Sequence, residues 1–490
     1  MAKSEPLWQP SNNRIADTNL RRFMATVADK NGLKIDDYRV LHNWSITDPS
    51  SFWRQLVDFS DLRASAWGER VLVDGETMSA AQWFPDAKLN FAENLLRRCD
   101  DSDAIVFWSE SGLRKRLSWR DLNERVAILA DVFRDFGINP GDRIAGFMPN
   151  MPETVIWFLA TASVGAIWSS CSPDFGVDGV LDRFGQIKPR ILVACDGYFY
   201  NGTRHETLPK VSEILGRLPT IEQCVVVPYT NEKPPLATLE NTILFDEFVA
   251  GHSDCEISFE QLPFSHPLYI LYSSGTTGRP KCIVHSAGGA LLTHVKEHRL
   301  HCDVKPGDRV FYFTTCGWMM WNWLVSALAS NATLVLYDGA PFHPDGNILF
   351  DYTDAARITL FGTSAKFIDA LSKVALSPID THELSSLRTI TSTGSPLAPE
   401  SFDYVYRAIK HDVHLASIAG GTDIVGCFVA GVPTEPVWRG EIQGPALAMA
   451  TAVFDESGHS RFGQKGELVC TKPFPSMPVR FWNDSDGARY

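Results

Sequence analysis

Leu271-Tyr-Ser-Ser-Gly-Thr-Thr-Gly-Arg-Pro-Lys281 lies between two short apolar runs, Pro267 to Tyr272 and Cys282-Ile-Val-His285. Apolar runs of that length bounded by turn residues read as buried strands, so the stretch joins two strands. Ser273, Ser274, Thr276 and Thr277 bring hydroxyls beside Gly275 and Gly278. Glycines let a backbone fold into a concavity whose N–H groups face an anion. Hydroxyls and the Lys281 ammonium complete a cradle suited to polyphosphate. A P-loop needs Gly-x4-Gly-Lys-[Ser/Thr] between a strand and a helix. Here Pro280 precedes the lysine and Cys282 follows it, which excludes that motif. A solvated Ser/Thr/Gly turn is the bland reading, and the framing strands with the closing Pro-Lys argue against it.

Tyr-Ser-Ser-Gly-Thr-Thr-Gly-x-Pro-Lys resembles the phosphate loop of the adenylate-forming enzymes, the family of acyl-CoA synthetases, peptide-synthetase adenylation domains and luciferases. The resemblance implies attack of a carboxylate on the α-phosphate of ATP, loss of pyrophosphate and an acyl-adenylate product. It implies ATP contacts from Ser273, Ser274, Gly275, Thr276, Thr277, Gly278 and Lys281, the last a catalytic residue. Further on, Thr391-Ser-Thr-Gly-Ser-Pro-Leu397 matches the place where the family holds adenine and ribose on a Gly-x-Pro turn. That nominates Gly394, Ser395 and Pro396, although Pro396 to Glu400 also reads as a helix start. In Ala419-Gly-Gly-Thr-Asp-Ile424, Gly421 and Thr422 match nucleotide positions, with Thr422 catalytic at the α-phosphate, and Asp423 matches the catalytic acid that holds Mg²⁺. Most relatives carry Glu there, and the shorter Asp leaves room for a bridging water.

Thr314-Thr-Cys-Gly-Trp-Met-Met-Trp-Asn-Trp323 reads as core on composition alone. The family builds its acyl pocket at this point, so the resemblance implies a pocket of Trp318, Met319, Met320 and Asn322, with Thr393 and Gly420. Together with Trp168-Ser-Ser-Cys-Ser-Pro-Asp-Phe-Gly176, these stretches resemble the acetoacetate-activating branch of the family over essentially the whole chain. That implies acetoacetate, ATP-Mg²⁺ and CoA as small-molecule partners, the acyl group passing from adenylate to CoA. Acetate-activating relatives carry Trp at the position of Gly420, and glycine leaves room for a longer acid. Another short acid, or a nucleotide-binding form without turnover, stays open. Tyr200-Asn-Gly-Thr-Arg204 offers one arginine, Arg204, near the family's CoA position, where the residues alone read as a solvated loop. Relatives continue into a mobile C-terminal domain that carries a ribose-binding Asp and the adenylation lysine. The sequence ends before that domain, so nucleotide binding with impaired turnover is expected.

The 490 residues are 44% hydrophobic and 21% charged, ordinary for a globular chain with a large core. Net charge of −13 without a basic patch argues against nucleic-acid binding. The ten cysteines are scattered with no Cys-x-x-Cys pair, which fits buried thiols in a reducing compartment, hence the cytoplasm. No run approaches the roughly 18 to 20 apolar residues of a membrane span.

Strand and helix patterns alternate along the chain, which predicts an α/β fold with mostly parallel sheets. Asn139-Pro-Gly-Asp-Arg-Ile144 and Lys305-Pro-Gly-Asp-Arg-Val310 each precede a strand, a helix and a strand. The repeated order predicts two related α/β subdomains. The expected division is a helical lead-in at 1–100, α/β subdomains at 101–260 and 261–430, and a small β-rich unit at 431–490 that stops without a closing element.

Overall fold

The computed structural model describes residues 5–253, 255–273, 278–484, 486–488 and 490. Thr18 caps α1 (Asn19–Asn31), whose Leu20, Phe23, Met24 and Val27 fall at helical spacing and are all buried. α2 (Pro49–Phe59) starts on a proline behind the Asp48 cap and buries Phe52, Trp53, Leu56 and Val57. β1 (Asp103–Ser109) and β2 (Arg114–Ser118) pair antiparallel. Ser118 and Asp121 then cap each other's backbone to open α3 (Trp119–Asp135).

Alternation follows through β3 (Arg143–Phe147), α4 (Pro152–Ser163), β4 (Ile167–Cys171), α5 (Val177–Ile187), β5 (Ile191–Cys195), β6 (Gln223–Val227) and β7 (Thr242–Leu244). A second antiparallel hairpin, β8 (Pro267–Ser273) and β9 (Lys281–Ser286), leads into α6 (Ala287–Lys296) and one π-helical turn, Glu297–His301. Alternation resumes with β10 (Arg309–Tyr312), α7 (Met319–Val325), β11 (Thr333–Asp338), β12 (Leu360–Ser364) and β13 (Thr389–Thr393). After α8 (Pro399–Tyr404) come β14 (His414–Ser417), a small hairpin of β15 (Ala419–Gly421) and β16 (Gly426–Ala430), and finally β17 (Arg480–Phe481).

Two large sheets result. The first runs β7-β6-β5-β3-β4-β8-β9-β17 and the second β14-β13-β12-β10-β11-β1-β2. Neighbours are parallel except within the hairpins and at β17. All five residues of β5 are buried, as a strand covered on both faces requires.

The Pro-Gly-Asp repeat is a structural repeat. Arg143 pairs with Ile167 and Arg309 with Thr333, the same offset in both sheets. Gly141 N–H donates to the Gly165 carbonyl and Gly307 N–H to that of Asn331, both at 2.9 Å. Both glycines are left-handed, at φ +90° and +83°, which explains glycine there. Asp142 and Asp308 each accept the backbone N–H three residues upstream, at 2.9 and 2.8 Å.

The division expected near residue 260 is corrected by the sheets. Hairpin β1–β2 precedes the first alternation but pairs with β11 of the second sheet, and β8–β9 precedes the second but pairs with β4 of the first. Each hairpin is a local unit, and which sheet edge it joins is a long-range choice that its own pattern does not encode. β17 pairs with β9 and so joins the first sheet, while Thr451–Phe454 and Glu467–Cys470 pair antiparallel in a small sheet of their own within the expected β-rich stretch. At the start of that stretch, Gly444–Pro445 pairs with β16. The helix expected from Pro396 begins at Pro399, the proline that occupies its first turn. Within residues 5–100, the expected helical lead-in, side chains bond to distant parts of the chain. Asn19 donates through Nδ2 to the Val304 carbonyl at 2.9 Å, Trp8 through Nε1 to Asp412 at 2.8 Å, and the Tyr38 hydroxyl to the Pro445 carbonyl.

Candidate active site

The β8–β9 hairpin is held by α5. Gln186 donates through Nε2 to the Pro280 carbonyl at 3.0 Å, and Asp182 lies 3.8 Å from Arg279. Ser273 is the last residue of β8, in register with Lys281 at the start of β9. Gly278 sits at φ +123°, a conformation only glycine adopts freely. The Lys281 side chain is exposed, its ammonium 5.5 Å from the Phe481 ring centre. Ser274, Gly275, Thr276 and Thr277 lie outside the described residues.

β13 ends at Thr393, whose hydroxyl donates to the Ile418 carbonyl at 3.1 Å and ties the strand end to β15. Gly394 turns the chain at φ +87°, leaving Ser395 and Pro396 exposed. The β15–β16 turn places Thr422 half-buried and Asp423 in solvent. These strand ends and the start of α7 surround a cavity of about 210 Å³ lined by Trp318, Met319, Met320, Thr393, Gly394, Ile418, Gly420, Gly421, Thr422, Gly426 and Cys427. Trp318 stands at its mouth, 64% exposed. A second cavity of about 90 Å³ shares Trp318, Met319 and Thr422 and is closed by Phe175, Arg183, Leu271, Tyr272 and Gly317. Thr422 thus stands between the cavity and the end of β8.

Trp318, Met319, Met320, Thr393, Gly394, Gly420, Gly421 and Thr422 therefore come together from three distant segments. Asn322 does not join them. It is buried one helical turn further along α7 and is absent from the cavity wall. Gly420 does line the cavity, but not as an opening for a side chain. A Cβ there would meet the Gly426 carbonyl oxygen at 1.9 Å, whereas one on Gly421 would meet nothing within 4 Å. β15 closes on β16 with a register shift at this glycine, and that close approach fixes its identity.

Arg204 lies elsewhere, donating through Nε to the Thr230 hydroxyl at 3.0 Å beside a cavity of about 420 Å³ that also holds Asp196 and Glu206. Sequence reading missed Ile418, Gly426, Cys427, Arg183 and Tyr272 as wall residues. Only Tyr272, adjoining the hydroxyl run, carried a local signal. Arg183 is one arginine on an amphipathic helix, its guanidinium 4.8 Å from the Phe175 ring and 5.6 Å from that of Tyr272. Among the described residues, no three His, Cys, Asp or Glu side chains group as a metal site, and no helix is long and apolar enough to cross a membrane.

The family model described as AMP-binding enzyme matches residues 91–477, and that described as acetyl-coenzyme A synthetase N-terminus matches residues 38–95. The acetoacetyl-coenzyme A synthetase of Rhizobium meliloti (strain 1021) is 55% identical over 493 residues, covering 100% of this chain and 75% of its own. The acetoacetyl-CoA synthetase of Mus musculus is 44% identical, covering 99% of this chain and 73% of its own. The solved structure of acetoacetyl-CoA synthetase from Streptomyces lividans superposes with a TM-score of 0.94 at 43% identity, covering 99% of this chain and 75% of that one.

Proposed function

The chain belongs to the AMP-binding enzymes, among the acetoacetyl-CoA synthetases, and on that premise we propose how its residues activate acetoacetate. A carboxylate oxygen of acetoacetate attacks the α-phosphorus of ATP, the bond to the β-phosphate oxygen breaks, and pyrophosphate leaves. The sulfur of CoA then attacks the acyl carbon, its thiol proton passes to solvent, and AMP departs with the bonding electrons. The observation that carries the residue assignment is the small cavity ending at Thr422, walled by two methionines and a tryptophan and floored by glycines. A short, uncharged acyl tail is what such a wall accepts, with the carboxylate directed toward Thr422 and the β8–β9 hairpin.

Lys281 and the hairpin hydroxyls hold the β- and γ-phosphates, Thr422 serves the α-phosphate, and Gly394, Ser395 and Pro396 hold adenine and ribose. Asp423 takes the Mg²⁺ that ATP carries. A lone exposed carboxylate suits that ion, which keeps several waters and uses one or two carboxylates beside phosphate oxygens. Arg204 is the proposed CoA contact with the least support, since the acidic neighbours Asp196 and Glu206 share its cavity. The scattered, mostly buried cysteines fit the reducing cytoplasm.

Lys281→Ala and Asp423→Ala should each weaken Mg-ATP binding by about 1–3 kcal/mol, the scale of charge-assisted contacts. Calorimetry showing unchanged affinity in both folded variants would remove these roles. Pyrophosphate release driven better by acetate than by acetoacetate would overturn the choice of acid.

A further inference from the structure

Behind the cavity, the α6 segment presents polar side chains to the strand that forms the cavity wall. His294, Glu297 and His301 are spaced three and four apart, hence on one helical face, and all are buried. His294 donates through Nε2 to the Val425 carbonyl at 2.8 Å, while its Nδ1 faces the Ser326 hydroxyl at 2.7 Å. Glu297 accepts the Cys427 N–H at 2.8 Å on one oxygen and the Trp323 indole N–H at 2.9 Å on the other. His301 donates through Nδ1 to the Gly431 carbonyl at 2.8 Å and accepts the Leu447 N–H on Nε2 at 3.1 Å. Lys296, itself fully buried, stands 3.7 Å from Glu297 and offsets its charge. The helix lies so close that a Cβ on Gly426 would come within 2.6 Å of Thr293 and 2.9 Å of the Glu297 carboxylate.

Between the first two of these bonds sits Val425, at φ +45°. A β-branched residue in the left-handed region is strained and persists only where its surroundings over-determine it. His294 holds the carbonyl of Val425 and Glu297 holds the N–H two residues on. On one side of this point lie Thr422 and Asp423, and on the other Gly426 and Cys427 of the cavity wall.

We propose that His294 and Glu297 are positioning residues for acid activation, a clamp that keeps Val425 left-handed and so sets Thr422 against the cavity. The proposal rests on the functional reading above. Without the clamp, Val425 relaxes toward negative φ and carries the Gly420–Cys427 turn away from the acid. A glycine at 425 accepts the same φ without strain and makes the clamp dispensable.

The test compares His294→Leu, Glu297→Gln, Val425→Gly and the double variant His294→Leu/Val425→Gly in the 490-residue chain. Amide hydrogen exchange of the peptide spanning 420–427 needs no turnover. It should speed up in His294→Leu and Glu297→Gln and return toward the parent in the double variant. Acetoacetate-dependent ATP–pyrophosphate exchange should show kcat/KM lowered on the order of 10²-fold in His294→Leu, mostly through KM for the acid, because small misplacements cost that much. Val425→Gly should restore it. Unchanged hydrogen exchange in both His294→Leu and Glu297→Gln, or no rescue by Val425→Gly, overturns the clamp. A drop in melting temperature with kinetics per folded molecule unchanged overturns its catalytic part. If the parent shows no ATP–pyrophosphate exchange, hydrogen exchange alone decides the clamp, and ATP–pyrophosphate exchange driven better by acetate than by acetoacetate sinks the functional reading instead. Glu297→Gln keeps the test decisive should His294→Leu not fold.

Discussion

The two sheets are copies of one plan with one exchanged part. Each has a central strand after Pro-Gly-Asp (β3, β10), its next strand on one side (β4, β11) and three later ones on the other. In each, an antiparallel hairpin lies beyond that next strand, with β17 added outside it in the first sheet, and each hairpin comes from the chain segment preceding the other copy. The hairpins differ at their tips. That of the first sheet carries the hydroxyl-and-lysine loop. In the second, Glu110 closes the tip, accepting the backbone N–H groups of Asn201 at 3.0 Å, Ala340 at 2.6 Å and Gly202. The second tip is filled by the protein's own carboxylate, whereas the first carries the residues proposed to meet phosphate. The two frames match in strand order and register, and the proposed chemistry falls on one hairpin of the first sheet and the strand ends of the second.

The helices that follow the hairpins differ as well. α3 keeps Arg120, Glu124 and Arg125 in solvent, whereas every residue of α6 is buried. This contrast predicts the largest effect, a pH dependence. Burial pushes His285 and His301 down to about 3 and His294 to about 4. Their folded values lie below the unfolded value near 6.5, so the unfolded chain takes up protons first as pH falls. The stability they contribute is fully present above about pH 6.5. It is lost through the window down to about 3–4, roughly 1 kcal/mol per histidine by pH 5.5. Urea titrations at pH 7.5, 6.5 and 5.5 check it. A flat stability over that range would erase the distinction between the helices. His301→Asn should flatten the slope.

The β15–β16 hairpin follows the second sheet's outer strand and, among the described residues, has no counterpart between β7 and the β8–β9 hairpin. If its tight closure matters, Gly420→Ala should cost about 1–3 kcal/mol, the scale of forced overpacking, and reduce turnover of acetoacetate and acetate alike. Gly421→Ala, with open space for its methyl, should stay within about 0.5 kcal/mol. Equal melting points for the two variants would show that the hairpin yields.

A smaller effect sharpens the repeat itself. Asp142 meets Arg190 at 2.8 Å, and that arginine also binds Glu222 through both nitrogens at 2.6 and 2.8 Å. Asp308 meets Arg388 at 2.6 Å, is more deeply buried, and among the described residues is that arginine's one ion-pair partner. Asp308→Asn should therefore cost about 2 kcal/mol and Asp142→Asn about 1 or less. Denaturant midpoints of the two variants make the comparison, and the reverse order would contradict it.

Much of this molecule is determined locally in the sequence. The Ser118–Asp121 capping box, the three-and-four spacing of Leu122, Val126, Leu129 and Phe133, and the repeated Pro-Gly-Asp turns act over a few residues. The loop from Ser273 to Lys281 suggests polyphosphate by residue type alone, whereas the Thr422-Asp423 pair stands out only through its resemblance to the family. Tertiary structure alone decided which sheet each hairpin joins, because edge pairing is chosen between segments more than a hundred residues apart. It alone set the cavity wall at Ile418, Gly426 and Cys427, and it left Asn322 outside that wall. It also turned Gly420 from apparent room for substrate into a point of backbone contact. Strain at Val425 follows the same logic: no neighbour in sequence asks for a left-handed valine, and only bonds from a helix some 130 residues earlier hold it there.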